Sequence, residues 1–72
     1  MSDRKVLSRI GGRIRKIRSD KKMTQYELAV LCDFEKASMS RIESGQTNAT
    51  VLTLLKVSNA LDVHLSDLVT DC

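Results

Sequence analysis

Apolar residues in the first third of the chain recur at helical intervals. Val6, Ile10, Ile14 and Ile17 are separated by four, four and three residues, and arginines and lysines fill many of the positions between them. This spacing collects the apolar residues into one stripe along a helix and leaves the charges on its other faces. The pair Gly11-Gly12 weakens the middle of that helix by roughly 1 kcal/mol per glycine relative to alanine. We therefore expect either a frayed first turn or close packing of another element at the glycines.

A capping-box pattern, Thr24-Gln25-Tyr26-Glu27, lies directly before an apolar run. In such a box the threonine hydroxyl accepts from the backbone amide three residues later, and the glutamate reaches back to the first amide. The pattern predicts a short helix that starts here and ends at Asp33, since aspartate tolerates a left-handed backbone better than most residues. Its inward-facing residues are predicted to be Leu28, Ala29, Leu31 and Cys32.

A third helix fits Lys36 to Ser44, where Met39 and Ile42 are three residues apart and form its buried side. Gly45 supplies the left-handed position that ends this helix. Only about three residues connect the second helix to the third. So short a connection forces the two helices to a steep angle, which is the arrangement of a helix-turn-helix unit.

Two further helices complete the predicted fold. The first runs from about Ala49 to Leu61 and ends at Asp62, and its inward residues are predicted to be Leu52, Leu55, Val57 and Leu61. The last is short, with His64 near its start and Ser66 as its candidate cap, and its apolar residues are Leu65, Leu68 and Val69. No segment alternates with the two-residue period of a strand. The sequence therefore predicts an all-α, compact five-helix domain whose helices 2 and 3 form a helix-turn-helix.

Length and composition limit the class of protein. The 72 residues, 42% of them hydrophobic, fit a single domain over residues 1–72, with residues 1–6 as a flexible or frayed start. A chain this short is near the lower limit for a self-sufficient core, so we expect a homodimer. Cys32, Cys72 and His64 lack the spacing of a disulfide scaffold or a metal site, so we expect free thiols, no metal and no cofactor. Because there is no membrane-spanning apolar run and no signal segment, we expect a cytoplasmic protein.

Positive charge is concentrated at the start of the chain. Residues 1–22 hold nine of the twelve lysines and arginines and only two of the nine acids, a net charge of +7 against −4 for residues 23–72. A basic segment of this kind indicates a polyanionic partner, most often a nucleic acid. Two alternatives are a solvated helix face and a surface that binds an acidic protein.

Several separated segments resemble the phage repressor and Cro type of helix-turn-helix domain, found in transcriptional regulators of the xenobiotic-response-element type. The segments are Met23-Thr24-Gln25-Tyr26-Glu27-Leu28-Ala29, then Ser38-Met39-Ser40-Arg41-Ile42-Glu43-Ser44-Gly45, the basic run Ile14-Arg15-Lys16-Ile17-Arg18, and the pairs Leu54-Leu55 and Ala60-Leu61. The resemblance spans Ile10 to Val69 and implies a lambda-repressor-like fold that binds double-stranded DNA. The chain departs from the family pattern at three positions: Asp33 and Asp62 each stand where glycine is usual, and Ala49 stands where proline is usual. These departures bear on loop geometry and stability, because none lies at a position that contacts DNA in the family.

The resemblance also implies which residues contact bases. In this architecture the second helix of the motif enters the major groove, and the matching positions are Lys36, Ala37, Ser40 and Arg41. Arginine and lysine donate to guanine O6 and N7, and alanine contacts a thymine methyl. The alternative is that Lys36 and Arg41 contact only phosphate or solvent.

Phosphate contacts and one ion pair are implied in the same way. Gln25 matches a phosphate-binding position at the start of a helix, where unpaired amides and the helix dipole favour anions, although an ordinary exposed glutamine is the alternative. Further candidate phosphate contacts are Tyr26, Ser38, Ser44, Thr47 and Asn48. Tyr26 is equally consistent with an ordinary surface tyrosine. In family members, the glutamate that matches Glu43 pairs with the arginine that matches Arg18, which predicts a structural ion pair between helix 1 and the recognition helix.

Two functions remain open at this point. The first is a homodimeric transcriptional regulator, most simply a repressor, that binds a partly palindromic operator and associates through its Leu61–Val69 end. The second is a protein-interaction module, such as an antitoxin that neutralises a partner protein. No enzyme is expected, because the chain has one histidine, no glycine-rich phosphate loop and no Ser/His/Asp or Cys/His set.

Overall fold

The computed structural model describes residues 3–70, which form five helices joined by short connections and include no strand. The helices are α1 (Asp3–Asp20), α2 (Gln25–Cys32), α3 (Lys36–Ser44), α4 (Val51–Leu61) and α5 (Leu65–Val69). The predicted all-helical class and the predicted number of helices are confirmed. None of the helices in residues 3–70 combines the length and the apolar character that a membrane span requires.

The apolar stripe of α1 faces the rest of the molecule. Ile14 is fully buried, while Ile10 and Ile17 are half-buried against the core. The helix begins at Asp3, so residues 3–6, expected to be a frayed start, are helical here. Positions 1 and 2 lie outside the described residues.

Two glycines allow α1 to lie against the end of α3. A Cβ atom at Gly11 would lie 2.4 Å from the carbonyl oxygen of Ile42 and 2.5 Å from that of Glu43. Gly45 has a left-handed backbone with φ of +75°, and a Cβ there would lie 2.7 Å from the hydroxyl of Ser8. Of the two explanations for the Gly11-Gly12 pair, the structure therefore supports close packing, and it assigns that packing to Gly11.

The start of α2 has the hydrogen bonds that the capping box predicts. The amide of Glu27 donates to the Thr24 hydroxyl, and the amide of Thr24 donates to the Glu27 carboxylate, each at 3.0 Å. Hydrogen bonding from the backbone amide of Thr24, and from its side chain, lowers the pKa of the Glu27 carboxyl. Because the folded state holds this carboxylate in its charged form, the cap contributes stability at neutral pH that is lost as the pH falls through the acid range.

The prediction that Leu31 faces inward is wrong, since 61% of its surface is exposed. The inward face of α2 consists of Leu28, Ala29 and Cys32. At 100° per residue, Leu28, Cys32 and Ala29 share an arc of about 100° on one side of α2, and Leu31 lies about 60° outside that arc. Burial raises the pKa of the Cys32 thiol.

The connection from α2 to α3 is the predicted three-residue turn. Asp33 is left-handed, with φ of 60°, and the next amide, that of Phe34, donates to the carbonyl of Ala29 at 2.8 Å. The Phe34 ring then packs half-buried against the core. This turn, together with the extended Glu35, sets the start of α3 at Lys36.

The predicted start and inward face of α4 need correction. The helix begins at Val51 and not at Ala49, because the Thr50 hydroxyl caps it by accepting from the Thr53 amide at 3.1 Å. Leu52 and Leu55 were predicted to face inward but are 64% and 40% exposed. The buried face of α4 consists of Leu54, Val57, Ser58 and Leu61. Apolar residues cover more of α4 than one face, so the pattern alone did not identify the buried side.

The cap of α5 also differs from the prediction. His64 is the residue before the helix, and its amide donates to the carboxylate of Asp67 at 3.1 Å. Ser66, the predicted cap, is instead the second residue of the helix.

The guanidinium of Arg13 donates to the carbonyl of Asp67 at 3.2 Å and so connects α1 to α5. Side chains from all five helices meet in one core: Ile14, Leu28, Ala29, Cys32, Met39, Ile42, Leu54, Val57, Leu61 and Leu68.

We expect Gly11→Ala and Gly12→Ala, the same change at adjacent positions, to alter stability in opposite directions. Apart from its chain neighbours and the adjacent backbone of α1, no atom lies within 4 Å of a Cβ at Gly12, so Gly12→Ala should stabilise α1 by about 0.5–1 kcal/mol. Gly11→Ala forces α1 away from the carbonyls of α3 and should destabilise by about 1–3 kcal/mol or more. Urea unfolding followed by circular dichroism, at one protein concentration, measures both changes. Equal stabilisation by the two variants would contradict the close contact.

Candidate nucleic-acid interface

The outer face of α3 carries all four residues predicted to contact bases. Lys36, Ala37, Ser40 and Arg41 are exposed, while Met39 and Ile42 on the opposite face are buried in the core. The burial follows the helical period, since the buried residues are three apart and the exposed ones lie between and beyond them.

The two cations of this face are available to a partner. Among residues 3–70, the side chains of Lys36 and Arg41 form no hydrogen bond or ion pair. The face therefore presents two unpaired positive charges, one methyl group and one hydroxyl on a helix whose reverse side is locked into the core.

A buried carboxylate joins α3 to the two preceding helices. The Arg18 guanidinium donates to both carboxylate oxygens of Glu43, with Nε at 2.7 Å and Nη2 at 3.0 Å. The side-chain amide of Gln25 donates to the same carboxylate at 3.0 Å. A third nitrogen of Arg18 donates to the carbonyl of Met23 at 2.7 Å. We call Arg18, Gln25 and Glu43 the Glu43 cluster.

The burial of the Glu43 cluster explains how a glutamate can belong to a helix proposed to approach DNA. The side chain of Glu43 is only 2% exposed and that of Arg18 only 11%. The negative charge is therefore paired inside the protein and does not face a polyanion. The structure brings together Arg18 and Glu43, the two residues expected to form an ion pair.

Gln25 has a hydrogen-bond partner within the protein that the sequence did not indicate. It was expected to contact phosphate, but it is half-buried and one of its N–H groups is donated to Glu43. Gln25 and Glu43 are 18 positions apart and lie in different helices, so no spacing within one helix pointed to this contact. The side-chain amide of glutamine has two N–H groups, so the hydrogen bond to Glu43 leaves the second one available to another acceptor.

Four predicted residues line one cleft beside α3. Ser38 and Arg41 from the helix, and Thr47 and Asn48 from the loop that follows it, surround a cleft of about 260 Å³. Thr50 and Thr53, which were not predicted as site residues, line it too, and their hydroxyls are 3.0 Å apart. We call this the α3–α4 cleft; it gathers hydroxyl, amide and guanidinium groups next to the exposed face of α3.

Two other predicted residues do not join this group. The hydroxyl of Ser44 donates to the backbone carbonyl of Ser40 at 2.9 Å, so its hydrogen is used within α3. Tyr26 is 64% exposed and adjoins the apolar side chains of Val30 and Leu31 on the outside of α2. The ring of Tyr26 thus belongs to an apolar surface as much as to a polar one.

The basic charge of α1 is partly used to hold the fold. Lys16 pairs with Asp20 at 3.3 Å, Arg13 donates to the carbonyl of Asp67 in α5, and Arg18 belongs to the Glu43 cluster. The charge excess of residues 1–22 therefore overstates the number of cations that can contact a partner.

Comparison with known proteins assigns this geometry to a family. Residues 14–68 match the profile of a helix-turn-helix family, a segment that includes all of α2, α3 and α4. The chain belongs to this helix-turn-helix family.

The relatives of known role include control proteins of restriction–modification systems. The chain is 33% identical over 72 residues to the control protein C.MunI of a Mycoplasma species, covering 99% of this chain and 95% of that protein. The crystal structure of the restriction-modification controller C.AhdI from Aeromonas hydrophila superposes with a TM-score of 0.84 at 32% identity, covering 86% and 94% of the two chains. The controller C.Esp1396I, solved as a tetramer with its natural 35-base-pair operator, gives a TM-score of 0.77 at 34% identity, with 82% and 78% covered.

We expect Glu43→Ala to destabilise the protein by about 3–5 kcal/mol, because it leaves the nearly buried Arg18 without its counter-charge. The exposed pair Lys16–Asp20 provides a matched control, since both of its side chains are more than half exposed. Asp20→Ala there should cost less than about 1 kcal/mol. Urea unfolding compares the two, and similar costs would contradict a structural role for the Glu43 cluster.

Proposed function

We propose that this chain binds double-stranded DNA sequence-specifically and regulates transcription, with α3 lying in the major groove. The observation that carries the proposal is the contrast between the two sides of α3. One side is locked by Met39, Ile42 and the Glu43 cluster, while the other presents Lys36 and Arg41 without partners. A rigid helix with unpaired donors on its outer face suits the groove, which admits one α-helix at a width of about 12 Å.

Within the groove, Arg41 and Lys36 would donate to guanine O6 and N7, and Ala37 would contact a thymine methyl. Ser40 is exposed between them and offers one donor and two acceptor positions. Each good pairing of this kind discriminates between bases by about 1–3 kcal/mol. These four residues are our proposed base contacts.

Phosphate contacts would orient the protein without selecting sequence. The α3–α4 cleft supports Ser38, Thr47 and Asn48 in this role, because it places their polar groups beside Arg41. Gln25 would contribute its second N–H group, which the hydrogen bond to Glu43 leaves in place. Tyr26 and Ser44 are weaker candidates for the reasons given above.

We further propose that the active form is a homodimer on a partly palindromic operator. Twofold symmetry would place the two copies of α3 about one helical turn, roughly 34 Å, apart along the DNA. The related controller C.Esp1396I was crystallised as a tetramer on its operator, and this supports the proposal that the present chain also assembles on DNA. Bound to its operator in the cytoplasm, such an assembly would repress transcription by covering the sites of other proteins.

The structure favours a different dimer surface from the one suggested by the sequence. In the Leu61–Val69 end, Leu61 and Leu68 are buried in the subunit's own core, and Val69 is its single large apolar residue with substantial exposure. We define Val51, Leu52 and Leu55 as the α4 apolar surface; these residues are 70%, 64% and 40% exposed. Burying exposed apolar area stabilises association, so we propose this surface as the interface.

We expect Arg41→Ala to lower the affinity for the preferred duplex by about 1–3 kcal/mol while changing non-specific binding much less, because base contacts carry the discrimination. Gln25→Ala should weaken binding to all duplexes to a similar degree. Lys16→Ala removes the same charge from an exposed position on α1, where Lys16 pairs with Asp20, and is the control. Fluorescence anisotropy at several salt concentrations, on a duplex selected from a random pool and on a scrambled one, measures these effects.

Failure to bind any duplex at low salt would remove the regulator assignment. If the protein then co-purified with a partner that it bound without DNA, the protein-interaction alternative, such as an antitoxin, would be favoured. An equal loss of affinity for all duplexes in Arg41→Ala would contradict its role as a base contact.

We expect Leu52→Glu to shift the protein toward monomer, since it places a charge in the proposed interface without disturbing the subunit core. Leu31→Glu makes the same change on α2, where Leu31 is 61% exposed, and should leave the association unchanged. Sedimentation velocity over a range of concentrations compares the two variants. A Leu52→Glu protein that remains dimeric would exclude the α4 apolar surface.

A further inference from the structure

We propose that Glu35 determines sequence specificity by accepting a hydrogen bond from the N4 amino group of a cytosine. The proposal rests on the proposed function, because it requires α3 to lie in the major groove. It adds an acidic residue to a binding surface that is otherwise made of basic and neutral groups.

Glu35 immediately precedes α3, at the N-terminal end through which the second helix of a helix-turn-helix contacts base edges. Its backbone is extended, with φ of −74° and ψ of 151°, and the residue is exposed next to Lys36. Among residues 3–70 its carboxylate accepts no hydrogen bond and forms no ion pair. The other two glutamates of the chain, Glu27 and Glu43, both accept hydrogen bonds within the protein.

A capping hydrogen bond does not account for the glutamate at this position: its charge favours the start of α3, but an aspartate would supply the same charge and a cap as well. Thr24 and Thr50 cap α2 and α4 through their hydroxyls, whereas Glu35 makes no side-chain bond to the amides of α3. Serine, threonine, aspartate and asparagine are the residues that cap helices well. Departures from local stability rules are expected at functional sites. A glutamate that leaves α3 uncapped, at the leading end of its exposed face, is such a departure.

A carboxylate in the major groove has few acceptable partners. It can only accept hydrogen bonds, so guanine O6 and N7 and thymine O4 repel it, while cytosine N4 and adenine N6 donate to it. On the adenine edge the N6 donor lies between two acceptors, adenine N7 and thymine O4 of the paired base. On the cytosine edge the N4 donor has one such neighbour, guanine O6. The repulsion is therefore smaller at cytosine, which is why we assign Glu35 to that base.

The test selects preferred sites from a random duplex pool with the wild-type protein, Glu35→Gln and Glu35→Ala. The wild type should enrich a cytosine at one position. Glu35→Ala should lose the preference there and retain the rest of the site. Glu35→Gln should shift that position toward adenine, whose N6 and N7 match a side-chain amide, and bind the cytosine site about ten-fold or more weakly.

Asp62→Asn is the matched control, because it removes the same charge at an exposed turn between α4 and α5, where asparagine tolerates the left-handed backbone. It should change the affinity for all duplexes alike and leave the selected site unaltered. The proposal is overturned if Glu35→Gln selects the wild-type site, or if it raises the affinity for every duplex equally as a simple loss of repulsion would. If the wild-type protein selects no site at all, the regulator assignment itself is wrong.

Discussion

The position of α3 depends on one buried carboxylate. Glu43 belongs to α3, yet its charge is held by Arg18 from α1 and by Gln25 from α2. A buried charge without partners would be costly, so any displacement of α3 that breaks these bonds is opposed electrostatically as well as by packing. The same contacts remove a negative charge from the surface on which the proposed DNA contacts lie.

The glycine contacts and the Glu43 cluster act on the same end of α3. Gly11 lets the backbone of α1 touch the carbonyls of Ile42 and Glu43, and Gly45 lets the turn after α3 touch Ser8. The C-terminal half of α3 is therefore held from two sides, and Met39 buries the inner side of its N-terminal half, while Lys36 on the outer side is exposed. Rigid support behind an exposed face is the arrangement that groove binding requires.

Local sequence rules predicted the elements better than their orientation. The capping box at Thr24 and the left-handed stops at Asp33 and Gly45 are formed by residues close together in the chain, so spacing alone located them. Leu31, Leu52 and Leu55 were assigned to the wrong side, because a helix with apolar residues on several faces is oriented by its neighbours. For the candidate site, spacing predicted the exposed face of α3, whereas the hydrogen bond from Gln25 to Glu43 had no local signal.

The sequence by itself determined five helices, the capping box of α2, the stops at Asp33, Gly45 and Asp62, and the side of α3 that faces solvent, because each follows from interactions within a few residues. Only the tertiary structure decided which glycine packs against α3 and that Gln25 is the third member of the Glu43 cluster. It also decided that the carboxylate of Glu35 is left without a partner and that four predicted site residues share one cleft, namely Ser38, Arg41, Thr47 and Asn48. These features depend on how distant segments approach one another. That approach is set by the packing of the whole core and not by any local pattern.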